Sequence, residues 1–99
     1  MENILVLLKQ ERTEDRVEPA ITFNESAFKH GATKADIRNA FLTLKLDMAL
    51  DDEAEKFVLV GFDINANLIE VMYNITEDNV IDVFHAMKCC KKYRDLIER

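Results

Sequence analysis

Apolar positions recur with one period in the first half of this chain and another in the second, and the change marks where helix gives way to strand. Projected at about 100° per residue, Ile37, Ala40, Phe41, Leu44 and Met48 share one face roughly 100° wide. That stripe predicts a helix over residues 34 to 48 with its core side built from those five residues. Leu42, Leu46 and Ala49 form a weaker second stripe, which the N-terminal element or a partner must cover. Beyond residue 56 the apolar runs are short and bounded by turn residues, so Phe57 to Phe62, Leu68 to Tyr73 and Val80 to Ala86 read as strands. Asp63-Ile-Asn-Ala-Asn67 and Glu77-Asp-Asn79 connect them. Connections this short imply antiparallel pairing. Ile69, Val71 and Tyr73 occupy one side of their strand, Leu68 and Met72 the other, so both faces of the sheet require cover.

The remaining elements are announced by their punctuation. Ile21 to Phe23 reads as a short strand. Asn24 is a fitting N-cap for a short helix through His30, and Gly31 supplies a left-handed residue after it. Thr33 and Asp36 have the spacing of a capping box. The last helix, about 88 to 98, places Cys89, Cys90, Tyr93, Leu96 and Ile97 on one side and Lys88, Lys91, Lys92 and Arg99 on the other. The expected fold is α+β: a small antiparallel sheet of three to five strands with helices packed on it, in the order β-α-α-β-β-β-α. Residues 2 to 10 fit a helix or an edge strand equally, and the polar stretch 11 to 19 joins them to the body.

Composition narrows the class. The 99 residues, 48% hydrophobic with two Gly and one Pro, make a single domain. Residues 1 to 18 form an N-terminal extension and 21 to 95 the core. A net charge of −6 argues against nucleic-acid binding by the whole surface. Ile4-Leu-Val-Leu-Leu8 is too short for a signal-peptide core or a membrane span, which implies a cytoplasmic protein without a membrane partner. Cys89 and Cys90 are adjacent, a spacing that suits neither a redox or zinc pair nor an easy disulfide, and they read as packing thiols.

Charge then singles out the C-terminus. Residues 51 to 82 carry nine carboxylates and one cation, Lys56, whereas the last twelve carry Lys88, Lys91, Lys92, Arg94 and Arg99 against Asp95 and Glu98. A reversal of that size points to a site for an anion.

Several segments, taken in order, resemble the BrnT-like toxins of bacterial type II toxin–antitoxin systems, within the RelE-type superfamily. They are Phe23-Asn24, Lys29-His-Gly-Ala-Thr33, Asp36-Ile-Arg-Asn-Ala-Phe41, Val58-Leu-Val-Gly-Phe-Asp63, Leu68-Ile-Glu-Val71, and His85-Ala-Met-Lys88 followed by Lys92-Tyr93. The resemblance covers roughly residues 21 to 95. It implies a compact α+β toxin, metal-independent cleavage of RNA, and a cognate antitoxin, of ribbon-helix-helix type or otherwise, that occupies the active surface. A homo-oligomer is the other expected way of covering surplus apolar surface.

Metal-independent RNA cleavage needs a base for the ribose 2′-OH, cations for the charged phosphorane and an acid for the leaving oxygen. His85 with Lys88 and Lys92 are the catalytic candidates: Lys88 and Lys92 stand one helical turn apart in the expected helix, and His85 precedes that turn. Lys91, Arg94 and Arg38 are candidates for gripping RNA phosphates, with His30 and Tyr93 as accessory groups. Each has an ordinary structural reading as well. His85 shares a strand face with Ile81 and Val83, where a histidine is usually a satisfied core residue. His30 suits a helix C-terminus, and the lysines suit a solvated helix face. No cofactor motif and no metal site is expected: there is no Gly-rich phosphate loop or zinc spacing, and Asp51-Asp-Glu53 with Glu55 lacks the ligand spacing of a calcium loop. The acidic balance supports an alternative, a non-catalytic protein-interaction module of the same fold. A DNA-binding regulator fits least, because helix 34–48 offers only Lys34, Arg38 and Lys45.

Overall fold

The computed structural model describes residues 20–50 and 55–98. The expectations for residues 2 to 19 and for the acidic run Asp51 to Glu53 lie outside the described residues. Five strands form one sheet: β1 (Ile21–Phe23), β2 (Leu46–Ala49), β3 (Lys56–Phe62), β4 (Leu68–Ile75) and β5 (Ile81–Lys88). Their spatial order is β1-β5-β4-β3-β2. β2 through β5 pair antiparallel, as the short connections require. The sheet is nevertheless mixed, not purely antiparallel, because β1 lies parallel to β5 with Ile21 opposite Ile81. The other three strands and the first helix lie between those two in sequence, which gives the long connection a parallel pair needs.

Between β1 and β2 come a 3-10 turn (Glu25–Phe28) and helix α1 (Lys34–Leu42). Asn24 caps the turn through its side-chain oxygen, which accepts from Ser26 N. Gly31 turns the chain at φ +94°, in the left-handed region open to glycine. Thr33 and Asp36 form the full capping box of α1: Thr33 Oγ1 accepts from Asp36 N, and Asp36 Oδ2 accepts from Thr33 N.

α1 ends at Leu42, six residues short of the helix expected from periodicity. Thr43 stops it: its hydroxyl donates to Asn39 O and accepts from Phe62 N, tying the helix end to β3. Leu46 to Ala49 then become the edge strand β2. Leu44, Leu46 and Met48 alternate with polar residues, a period-2 signal hidden inside an apparent helical one. Met48 accordingly packs on the opposite face of the sheet from Phe41.

Cover is provided on both faces. On one, Ala27 of the 3-10 turn and Ile37, Ala40 and Phe41 of α1 pack on Leu59, Val71, Tyr73, Ile81 and Val83. On the other, Tyr93 of the C-terminal helix α2 (Lys91–Glu98) packs with Cys89 on Val58 and Val60, flanked by Leu46, Met48, Met72 and Ile97. α1 approaches β3 so closely that a Cβ at Gly61 would overlap the Ala40 carbonyl and lie 2.8 Å from Ala40 Cα. Gly61→Ala is therefore expected to cost about 3 kcal/mol, measured as a fall in the urea midpoint with unchanged slope.

A bulge in β5 reassigns the faces of the site residues. Met72 pairs with His85 and Tyr73 with Val83, so Phe84 is an extra residue in β5. Ile81 and Val83 face α1, and beyond the bulge it is Ala86 that does so. His85 thus leaves the face of Ile81 and Val83, contrary to strict alternation. β5 also runs on through Lys88, which pairs with Ile69, so Lys88 is a strand residue and not one helical turn before Lys92. Among the described residues no helix is long and apolar enough to cross a membrane.

Candidate functional site

A cleft of about 380 Å³ opens where β4 begins and β5 ends. Leu68 and Ile69 enter it from β4, Met87 and Lys88 from β5. His30, Gly31 and Asp36 come from the turn into α1, Asp63 and Asn67 from the loop between β3 and β4, and Arg94 from α2. Local sequence places each of these. Gly31 turns the chain so that α1 starts at the cleft, and the bulge sets the parity that puts Lys88 on its wall. Asn39 Nδ2 donates to the carbonyls of Phe62 and Asp63, holding that loop against α1.

The two aspartates are already occupied. Asp36 accepts from Thr33 N and from Ile64 N, and Asp63 Oδ1 accepts from Asn65 N and Asn67 N. The backbone N–H of Thr33, helped by that of Ile64, holds the Asp36 carboxyl below its ordinary value against a modest opposing effect of burial. Both carboxylates of this lining are thus engaged by N–H donors of the surrounding loops. Lys88, Arg94 and His30 bring donors to the same space. Neither Lys88 nor Arg94 takes part in an ion pair among the described residues, and Arg94 Nε is buried without a hydrogen-bond partner. A lysine and an arginine lining one cleft, the arginine with an unmet N–H, are an arrangement suited to a phosphate or carboxylate.

Behind His30 in this lining stands His85, the chain's other histidine. The rings of His30 and His85 meet edge to face with centroids 5.6 Å apart. His85 Nε2 lies 3.0 Å from Glu70 Oε2, and the other oxygen of Glu70 accepts from Cys90 N at 2.9 Å. No family model, curated protein or solved structure matches the chain. What the site can do rests on its own chemistry.

Of the candidates named from sequence, the structure brings His30, Lys88 and Arg94 to one cleft and sets His85 against His30. The others lie elsewhere. Lys91 bonds Asp95 at 2.7 Å on the exposed surface of α2. Lys92 lies 5.5 Å from the Tyr93 ring centroid, and Tyr93 itself is buried in the core below α2. Arg38 stacks over Phe23 on the α1 face. Cys89 packs as expected, and burial, with Glu70 and Cys90 nearby, pushes its thiol up. Cys90 precedes α2 and is exposed, unlike the packed position expected of it. Among the described residues no group of three or more His, Cys, Asp or Glu side chains is placed to hold a metal ion.

Sequence reasoning missed Glu70. The signal was available: one carboxylate inside Leu68-Ile-Glu-Val-Met-Tyr73, where a buried charge must find partners.

Proposed function

We propose that this chain is a small RNA-cleaving toxin of the BrnT-like kind that its sequence resembles, acting in the cytoplasm and silenced by a cognate antitoxin. The observation that carries the reading is the cleft. In a protein of net charge −6, two cations and a histidine line one space whose carboxylates are engaged by backbone N–H groups. Lys88 and Arg94 would hold the scissile phosphate and take up the charge that grows on it. His30, exposed at the cleft, would meet the substrate, with His85 behind it. The ribose 2′-oxygen attacks the adjacent phosphorus and gives its proton to a base. The bond to the 5′-oxygen breaks, and that oxygen takes a proton from the conjugate acid. The products carry a 2′,3′-cyclic phosphate and a 5′-hydroxyl.

A second reading has an observation of its own. His85 is bonded to a buried carboxylate, as a structural histidine would be, and the acidic surface suits a basic protein partner. The same cleft would then bind an acidic side chain or a terminal carboxylate without chemistry.

Induced expression in a bacterial host separates the two. The toxin reading expects growth arrest and progressive RNA fragmentation, both lost in His30→Ala and sharply reduced in His85→Ala, with each variant accumulating as folded protein. Strong induction of the unaltered chain without arrest and with intact RNA would leave the interaction module as the reading.

A further inference from the structure

Among the described residues Glu70 is the charged side chain within the buried core, at 4% exposure. It pairs across the sheet with Val60 and Met87, on the face where Val58, Val60 and Tyr93 pack. A carboxylate in such a place carries a desolvation cost that an apolar residue of similar size would avoid. Both oxygens of Glu70 are engaged. They reach two groups just behind the cleft lining, His85 of β5 and the backbone of Cys90 before α2. Oε1 accepts from Cys90 N, immediately before α2, and Arg94 N in turn donates to Cys90 O at 3.1 Å. Oε2 faces His85 Nε2, and the His85 ring backs that of His30.

We propose that Glu70 is the positioning residue of the cleft: one oxygen fixes the start of the helix that carries Arg94, and the other fixes the imidazole of His85 against His30. An ionised carboxylate only accepts, so the neutral His85 ring must carry its hydrogen on Nε2, leaving Nδ1 as the basic nitrogen. In this arrangement His30 is the group that touches the substrate, and Glu70 and His85 act through it. The proposal rests on reading the cleft as a phosphodiester site, yet its structural content can be measured without any RNA.

The experiment uses the full chain and Glu70→Gln. Glutamine keeps the size and can still accept from Cys90 N. Its amide, however, offers hydrogens to His85 Nε2, so the imidazole hydrogen must move to Nδ1. Long-range nitrogen–proton correlation spectra, recorded at a pH where the rings are neutral, read the tautomer directly. The expected result is Nε2–H for His85 in the natural chain, Nδ1–H in E70Q, and a displaced His30 ring signal in the variant. RNA cleavage should fall tenfold or more, on the scale of general acid–base contributions, while RNA affinity stays within about twofold because the phosphate contacts remain. An Nδ1–H tautomer in the natural chain, or one unchanged by E70Q, overturns the proposal. Should E70Q fail to fold, the tautomer of the natural chain decides alone. If the tautomer switches while neither protein cuts RNA, Glu70 keeps its positioning role and the nuclease reading fails.

Discussion

Replacing Phe41 by Ala is expected to lower the unfolding free energy by about 3–5 kcal/mol, the usual cost of removing a buried aromatic ring. Phe41 is 6% exposed and meets Tyr73 edge to face at 5.6 Å, and Tyr73 stacks on Phe57 at 5.4 Å. The three rings join α1 to β3 and β4 at the centre of the larger core cluster. A domain of this size holds roughly 5–15 kcal/mol in all, so the loss removes a large share. The thermal midpoint should drop by about 12 °C or more. A soluble variant with an unchanged midpoint would mean that α1 does not pack through this stripe.

The second large effect is at the cleft. Hydrogen bonds to charged partners contribute about 1.5–3 kcal/mol each, so on the proposed nuclease reading Lys88→Ala and Arg94→Ala should each weaken RNA binding about tenfold or more. Each should also flatten the logarithmic salt dependence by close to one charge. Lys91→Ala and Lys92→Ala are the controls: Lys91 is engaged by Asp95 and Lys92 sits over Tyr93, away from the cleft. Filter-binding titrations over a salt series distinguish the two pairs. Equal losses for all four residues would indicate diffuse attraction to a basic helix, with no defined site.

Local chemistry made much of the fold legible in the sequence. Asn24, Gly31 and the Thr33–Asp36 box mark their elements because caps and positive φ depend on single residues. The three longer strands followed from their apolar runs. Misreadings arose where a tertiary contact decides. Thr43 ends α1 because a β3 amide is waiting for its hydroxyl, and nothing within residues 34 to 48 reveals that. The bulge at Phe84 depends on how β5 meets β4, so alternation assigned His85 to the wrong face. β1 pairs parallel with β5 across most of the chain, a long-range choice that short connections do not encode.

The site was legible in part for the same reason. The charge reversal singled out the C-terminal cations, of which Lys88 and Arg94 line the cleft, while His30 was named apart from it as an accessory group. Which cations share a space could not be read from a helical projection, because Lys88 belongs to a strand, and Lys91 and Lys92, which open the helix, are not among the residues lining the cleft. Glu70 was overlooked because its charge was counted with the acidic segment 51 to 82, although a sheet covered on both faces already implied that a carboxylate in this strand is buried.

Titration of the full chain with a ribonucleoside 3′-monophosphate, followed by nuclear magnetic resonance, tests the cleft most directly. Saturable shifts are expected at the Arg94 guanidinium, at the His30 ring, and at the amides of Gly31 and Lys88. The same titration of the Lys88→Ala, Arg94→Ala double variant should show none of them. Shifts centred on Lys91 and Lys92, or no saturable shift at the cleft, would contradict the assignment of this space as the phosphate site.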